Sequence, residues 1–408
     1  MEKMRIALVT QYFWPESFSI NDLVRALVAQ GHAVEVFTGK PNYPDGRIFS
    51  GYRQEGCMTE LFESTVPVHR VPLAPRGKGG AKGLIRNYLS FVMNGLRHFP
   101  SQARGKDFDA IFVFTLSPIT SVIPAIYLKW ILRKKMTIWV LDLWPESLAA
   151  TGFIKNRFVL GAVGLVVRAI YACSDRILVQ SHAFVDAVAK YADRKKIVYY
   201  PNSHVDIPQE LSTDTALDVE LLQVLERDFC IVFTGNLGTA QDVETLVAAA
   251  DRLRHIPDFK LVLVGSGSMS NWLAEQKAAL GLDNLILAGR YPAQEMPQFL
   301  TRAQALLVSL KKAEIFAQTV PAKIQSYLAA GKPIIAALDG EGARVVLEAR
   351  AGLACGAENV AGLVQAIEQL HAMSNEDRAE FGRAGREYFL KNFETNAQAA
   401  KLATLLLT

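Results

Sequence analysis

Cys230-Ile231-Val232-Phe233-Thr234-Gly235-Asn236-Leu237-Gly238-Thr239-Ala240-Gln241 joins a short apolar run to a turn bearing two glycines, and helical spacing resumes beyond it. A strand that is apolar at nearly every position suits a parallel sheet covered on both faces better than a half-exposed antiparallel one. The turn has the chemistry of a phosphate loop: glycines admit backbone N–H groups close to an anion, and a following helix N-terminus adds a favourable dipole. Gly265-Ser266-Gly267-Ser268 repeats the arrangement after the next strand. Either loop alone can use glycine for geometry only. At successive strand ends they favour a phosphate-bearing ligand, with Gly235, Asn236, Gly238, Gly265 and Gly267 as candidate contacts.

Working outward, similar runs recur at Leu261 to Gly265, Leu285 to Ala288, Leu306 to Leu310 and Ile334 to Leu338, and earlier at Ile6 to Thr10, Val34 to Thr38, Ile111 to Thr115, Ile138 to Leu141 and Ile177 to Gln180. Helical patterns lie between them, as in Asn21 to Gln30, where Asn21 reads as a cap and Gly31 as a stop. This is α/β alternation. The 408 residues exceed what one core sustains, so two doubly wound domains are expected. We place them at residues 1–200 and 216–390, with a polar, proline-bearing linker at 201–215 and a terminal helix at 391–408 that either caps the second domain or crosses back to the first. Ligands of such sheets bind beyond the carboxyl ends of the strands, so a cleft between the two domains is the expected site.

Composition excludes several classes. A formal charge of +4 gives no reason to expect nucleic-acid binding. Cys57, Cys173, Cys230 and Cys355 form no ligand spacing, and no His/Asp/Glu grouping or DxD element suggests a metal, so no metal or other cofactor is expected. The start, MEKMRIALVT, does not read as a signal peptide, and the run Phe158 to Ala172 contains Arg168 and is too short to span a bilayer. A cytoplasmic protein is the expectation.

Thr319-Val320-Pro321-Ala322-Lys323-Ile324-Gln325-Ser326-Tyr327-Leu328-Ala329-Ala330-Gly331-Lys332-Pro333-Ile334 resembles the donor-binding helix of the retaining family-4 glycosyltransferases of GT-B fold. Supporting matches are Gly31-His32, Thr38 to Gly46, Asp142-Leu143-Trp144-Pro145-Glu146-Ser147, Gly340 to Ala343 and Gly385 to Phe393. Within the family the chain is most similar to the WbuB-like branch, which includes L-fucosamine transferases of O-antigen and capsule assembly. The resemblance implies two facing Rossmann-like domains, a nucleotide-sugar donor, probed first as UDP-linked, and a polyprenyl-diphosphate-linked saccharide acceptor. It departs from the family at one place. Relatives carry two glutamates with seven residues between them, the second holding ribose, and those places are Gln318 and Ser326 here. Neutral groups hold hydroxyls more weakly than a carboxylate does. The basic residues that relatives place after the first strand of the second domain are also absent from Thr234 to Gln241. Lys323 and Arg290 are therefore the candidates for meeting the diphosphate charge, each being otherwise a surface cation. Glu341 either binds sugar hydroxyls or is a helix-start glutamate favoured by the dipole.

In the first half, Asp142 and Glu146 follow a buried strand. Asp142 either orients and deprotonates the acceptor hydroxyl or caps the turn before Pro145. Glu16, Lys40, Asn42 and Tyr43 are further candidates near the acceptor, the last three in a loop stiffened by Pro41 and Pro44. The segment Arg76 to His98 mixes Arg76, Lys78, Lys82, Arg86 and Arg97 with apolar residues, and Lys129, Trp130, Arg133, Lys134 and Lys135 extend it. That pattern fits either an anionic inner-membrane surface or an ordinary solvated helix. A nucleotide-sugar-binding scaffold and a same-fold epimerase remain as alternatives to the transferase.

Overall fold

The computed structural model describes residues 3–77, 80–150, 156–207 and 217–407; Lys78 and most of the expected linker lie outside them. The chain divides into two compact units, Met1–Ser203 with Thr395–Thr408, and His204–Glu394.

The first unit holds β1 (Arg5–Val9), β2 (Ala33–Gly39), β3 (Met58–Phe62), β4 (Val66–Val71), β5 (Ala110–Thr115), β6 (Met136–Val140), β7 (Arg176–Val179) and β8 (Ile197–Tyr199), in the order β3-β4-β2-β1-β5-β6-β7-β8. All neighbours are parallel except the β3–β4 pair. Strands β5 and β6 are buried at every position, as their continuous apolar runs require. Separate apolar clusters cover the two faces of the sheet. Ala399, Leu402, Ala403 and Leu406 of the terminal helix Thr395–Leu407 belong to one of these clusters, alongside Leu23, Val24 and Leu27 of the helix Ser19–Ala29. The Tyr200 hydroxyl ties this helix down by donating to the Gln398 carbonyl at 2.9 Å. Asn21 is not the cap of the helix Ser19–Ala29: Phe18 holds that position, and Asn21 lies inside the first turn, accepting the Trp14 N–H and donating to the Glu16 carbonyl.

The second unit contains β9 (Phe229–Thr234), β10 (Phe259–Val264), β11 (Leu285–Gly289), β12 (Ala305–Ser309), β13 (Ile334–Ala337) and β14 (Gly352–Cys355). Their order is β11-β10-β9-β12-β13-β14, wholly parallel and covered on both faces. Strand order reverses at β9 and β12, the switch point where open α/β sheets leave a crevice at the carboxyl edge. Among the described residues no helix is long and apolar enough to cross a membrane.

Candidate active site

The loop after β9 stands at that switch point. Gly235 and Gly265 both have positive φ, and their packing is backbone on backbone: a Cβ on Gly265 would lie 1.8 Å from the Gly235 carbonyl oxygen. Their N–H groups are already engaged, Gly235 by Val264 O at 2.8 Å and Gly265 by Gly289 O at 2.7 Å, and the Gly267 N–H donates to Ser270 Oγ. A Cβ on Gly238 or Gly267 would overlap the Asn236 carboxamide. The N–H groups of Gly235, Gly265 and Gly267 are thus taken up by the close approach of two loops. The expected helix dipole is displaced too. A short turn at Thr239–Gln241 and the buried, left-handed Asp242 stand between the loop and the helix Val243–Arg252, with Asp242 at its cap.

The space left by Gly235 is filled by Lys323, whose Cε would lie 2.9 Å from a Cβ there. Lys323 sits in the first turn of the helix Ala322–Ala330. Its ammonium donates to Gln241 Oε1 at 2.7 Å and lies 3.9 Å from the centre of the Phe233 ring. Burial pulls its pKa down to about 7, and no carboxylate among the described residues offsets that desolvation. The helix is pinned one turn on: the buried Tyr327 hydroxyl accepts the Thr234 N–H at 2.9 Å. Gln241 is held in turn, its carbonyl accepting Ser309 Oγ at 2.6 Å. A cation lacking a counter-ion is therefore fixed between the ends of β9 and β12.

Ser326 lies three residues after Lys323 and so shares its face of the helix. Gln318 ends the short helix Glu314–Ala317, its amide donating to Glu314. Gly340 is pressed against this element, since a Cβ on it would lie 2.0 Å from the Ala317 carbonyl oxygen. Glu341 follows as the first residue of the helix Glu341–Glu348, buried, with both carboxylate oxygens held by Arg344 at 3.1 and 3.2 Å. Arg290 is exposed just beyond β11.

In the first unit, Glu16, Asn42 and Tyr43 form one assembly. The buried Glu16 carboxylate accepts the N–H groups of Asn42 and Tyr43, both at 2.8 Å, and of Phe13 at 3.1 Å. Burial outweighs these bonds and raises its pKa to about 7. Asn42 Oδ1 accepts from Asn87, which also accepts from Gln11. Tyr43 packs with Phe18 and Tyr12 at ring separations of 5.2 and 5.9 Å, and the Arg76 guanidinium lies over Tyr12 and Tyr43. Lys40 is buried, its pKa lowered by burial and by Arg70.

Asp142 accepts a hydrogen bond from Ser117 Oγ, which itself accepts the Trp144 indole N–H at 3.0 Å. These residues line a pocket of about 360 Å³ whose other walls are mostly apolar, including Leu84, Tyr88, Leu89 and Val163, with Thr120 and Ser147 as further polar members. Glu146 is not part of those walls; it accepts the Tyr191 hydroxyl. Sequence reading missed Gln241, Tyr327, Ser117 and the Tyr12–Phe18 pair, because each acquires its role from a partner distant in sequence. Gln241 and Tyr327 lie inside the quoted loop and donor-helix segments, which could have flagged them.

Comparison with known proteins bears on this geometry. Residues 220–388 match the family Glycosyl transferases group 1, and residues 18–203 match the Glycosyl transferase 4-like domain. A group 1 glycosyltransferase domain thus follows a glycosyltransferase 4-like domain in this chain. A protein of Escherichia coli (strain K12) described as a colanic acid biosynthesis glycosyl transferase, WcaI, is 25% identical over 353 residues, 80% of this chain and 82% of that one. A GDP-mannose-dependent alpha-(1-6)-phosphatidylinositol monomannoside mannosyltransferase of Mycolicibacterium smegmatis is 26% identical over 180 residues, 43% of this chain and 47% of its own length. The crystal structure of Anabaena Alr3699/HepE in complex with UDP aligns with a TM-score of 0.67 at 14% identity, covering 99% of both chains. The GT-B architecture of two parallel-sheet Rossmann-like domains follows from these matches. They support the family without singling out the WbuB-like branch.

Proposed function

We propose that this glycosyltransferase transfers a sugar, with retention and without a metal, from a UDP-linked donor to a polyprenyl-diphosphate-linked saccharide. The donor sugar is read as N-acetyl-L-fucosamine or a related deoxy-amino sugar. One observation carries the reading: Lys323 is a desolvated, uncompensated cation at the switch point of the second sheet. Breaking the bond between anomeric carbon and phosphate leaves an oxocarbenium-like sugar and a diphosphate anion. Lys323, assisted by Arg290, meets that developing charge, and a charge met by a fixed group in a water-poor site is stabilised more than in solution. Ser326 and Gln318 hold the ribose, and Glu341 stays with the donor sugar. The leaving phosphate takes the acceptor proton as the new bond forms on the same face, while Asp142 orients the acceptor hydroxyl. UDP in the complex of the Anabaena neighbour supports uridine as the base to test first.

The acceptor reading rests on the first unit. Ile85, Leu89 and Met93 form a line along the helix Ala81–Ala103 and are exposed, as are Trp130 at 64%, Phe158 at 82% and Leu165 at 68% on the neighbouring helices Ile123–Leu132 and Arg157–Cys173. Exposed Lys82, Arg86, Arg97, Arg133, Arg157 and Arg168 accompany them. Lys129 is committed to Asp175 instead. Such a face suits the inner leaflet of the membrane, each nearby cation contributing about 1 kcal/mol. Wild-type protein is expected to sediment with phosphatidylglycerol vesicles and to be released by salt. A Met93→Glu, Phe158→Glu, Leu165→Glu triple variant is expected to bind at least tenfold more weakly; equal sedimentation removes the membrane face.

Radiolabelled UDP- and GDP-sugars, incubated with protein and an undecaprenyl-diphosphate-linked saccharide, test the activity. Labelled lipid product from UDP-sugar supports the proposal, with turnover unchanged in EDTA. Product from GDP-sugar alone overturns the uridine reading, and binding without turnover favours a scaffold.

A further inference from the structure

The second unit has another opening, at the opposite edge of its sheet. A cavity of about 700 Å³ lies between the turn Gly331-Lys332-Pro333, which enters β13, residues Ala303 and Gln304, which enter β12, and the helix Asn375–Asn392. Along the helix Ala322–Ala330 its lining begins at Ala329, six residues beyond Lys323, about 9 Å at 1.5 Å per residue. The two places are therefore distinct. Close approach of the walls depends on Gly382, where a Cβ would lie 2.1 Å from the Gly331 carbonyl oxygen.

The charge of this cavity is one-sided. Among the described residues Lys332, Arg378, Arg383 and Arg386 line it, against the single carboxylate of Glu387. Three of these cations have structural employment. Arg386 pairs with Asp206 and donates to the Ala329 carbonyl, Arg378 donates to the Leu370 and Met373 carbonyls, and Arg383 pairs with Glu376 and Glu380 on the exposed rim. Capping of helix ends accounts for Arg386 and Arg378. It does not account for Lys332. That side chain is half-buried, burial lowers its pKa, and among the described residues no carboxylate offsets the desolvation. A buried ammonium without an anion carries an unfavourable desolvation term that a bound anion would remove.

We propose that this cavity is a second ligand site, for a phosphate-bearing small molecule the size of a sugar phosphate or mononucleotide, with its phosphate on Lys332 and Arg383. Phosphate neutralises Lys332, and the cationic fork of Arg383 can turn from its solvent-exposed carboxylates to a bidentate contact. The remaining volume holds the organic part. The site does not depend on the identity of the transferase substrates.

The test uses the full-length protein and inorganic phosphate as probe, titrated by thermal shift against chloride at constant ionic strength. The Lys323→Gln variant is expected to retain a phosphate-dependent rise in Tm, and adding Lys332→Gln is expected to weaken phosphate at least tenfold. Should the Lys332 change unfold the protein, the exposed Arg383→Gln variant in the same background is expected to weaken phosphate at least threefold. Glucose 6-phosphate and UMP, titrated in turn, distinguish sugar from nucleotide by whichever binds more tightly than phosphate. Loss of all phosphate response in Lys323→Gln, or no weakening on changing Lys332 or Arg383, overturns the proposal.

Discussion

Lys323→Ala is expected to lower turnover at least tenfold, about 1.4 kcal/mol of transition-state stabilisation. Among the described residues the ammonium has no carboxylate to satisfy, and it is aimed by Gln241 and the Phe233 ring, so its removal takes away charge without disturbing a structural ion pair. The same substitution should stabilise the ligand-free protein. A lysine with a pKa of about 7 in the folded state and about 10.4 unfolded binds fewer protons folded than unfolded between those values. Stability therefore rises with pH across that window, and the charged-burial penalty is full only below about pH 7. Thermal melts of Lys323→Met should show a Tm gain that is largest near pH 6 and shrinks as pH rises towards 10. Donor binding has the opposite preference, since a diphosphate favours the protonated form. Donor affinity is expected to fall as pH rises through about 7, and calorimetry at pH 8 in buffers of differing ionisation enthalpy should show proton uptake that vanishes in Lys323→Ala. Unchanged kinetics together with unchanged stability would remove Lys323 from the mechanism.

Much of the architecture was legible because parallel strands buried on both faces leave continuous apolar runs. All ten such runs became strands, among them β5, β6, β9 and β12. What escaped lacked that signal. Strand β3 alternates exposed and covered positions at the sheet edge, β4 interrupts its valines with Pro67, His69 and Arg70, β8 has three half-buried residues, and β14 opens on a glycine. The candidate site was legible only as positions at strand ends. Lys323 could be located there, yet its isolation from carboxylates is a property of what β9 and β12 bring around it. Gly235 and Gly265 could be placed but not explained, because whether a glycine N–H faces a ligand or a neighbouring loop depends on the partner strand. Glu341 likewise lies where expected, while its pairing with Arg344 was open among several surface cations.

Glu16→Ala is expected to lower stability by roughly 3 kcal/mol, because three N–H groups lose their acceptor and each unsatisfied buried donor costs about 1–3 kcal/mol before water enters. Phe13, Asn42 and Tyr43 supply those donors, so the loss would free the loop carrying Tyr43 from the Tyr12–Phe18 rings and from Arg76. Acceptor KM should rise while donor KM, proposed to depend on the other unit, holds. Glu16→Gln separates charge from geometry. It keeps a carbonyl for Asn42 and Tyr43 and should cost much less. The carboxyl has a pKa of about 7 folded against an ordinary value of 4.5, so the folded state retains a proton that the unfolded chain releases between these values. The stability owed to this group is full below about pH 4.5 and is lost as pH rises to about 7. Denaturant melts from pH 4.5 to 7.5 should show that decline in the wild type and a flatter profile in Glu16→Gln. Equal slopes in both would mean that Glu16 is ionised throughout, held by its three N–H donors against the burial that opposes it.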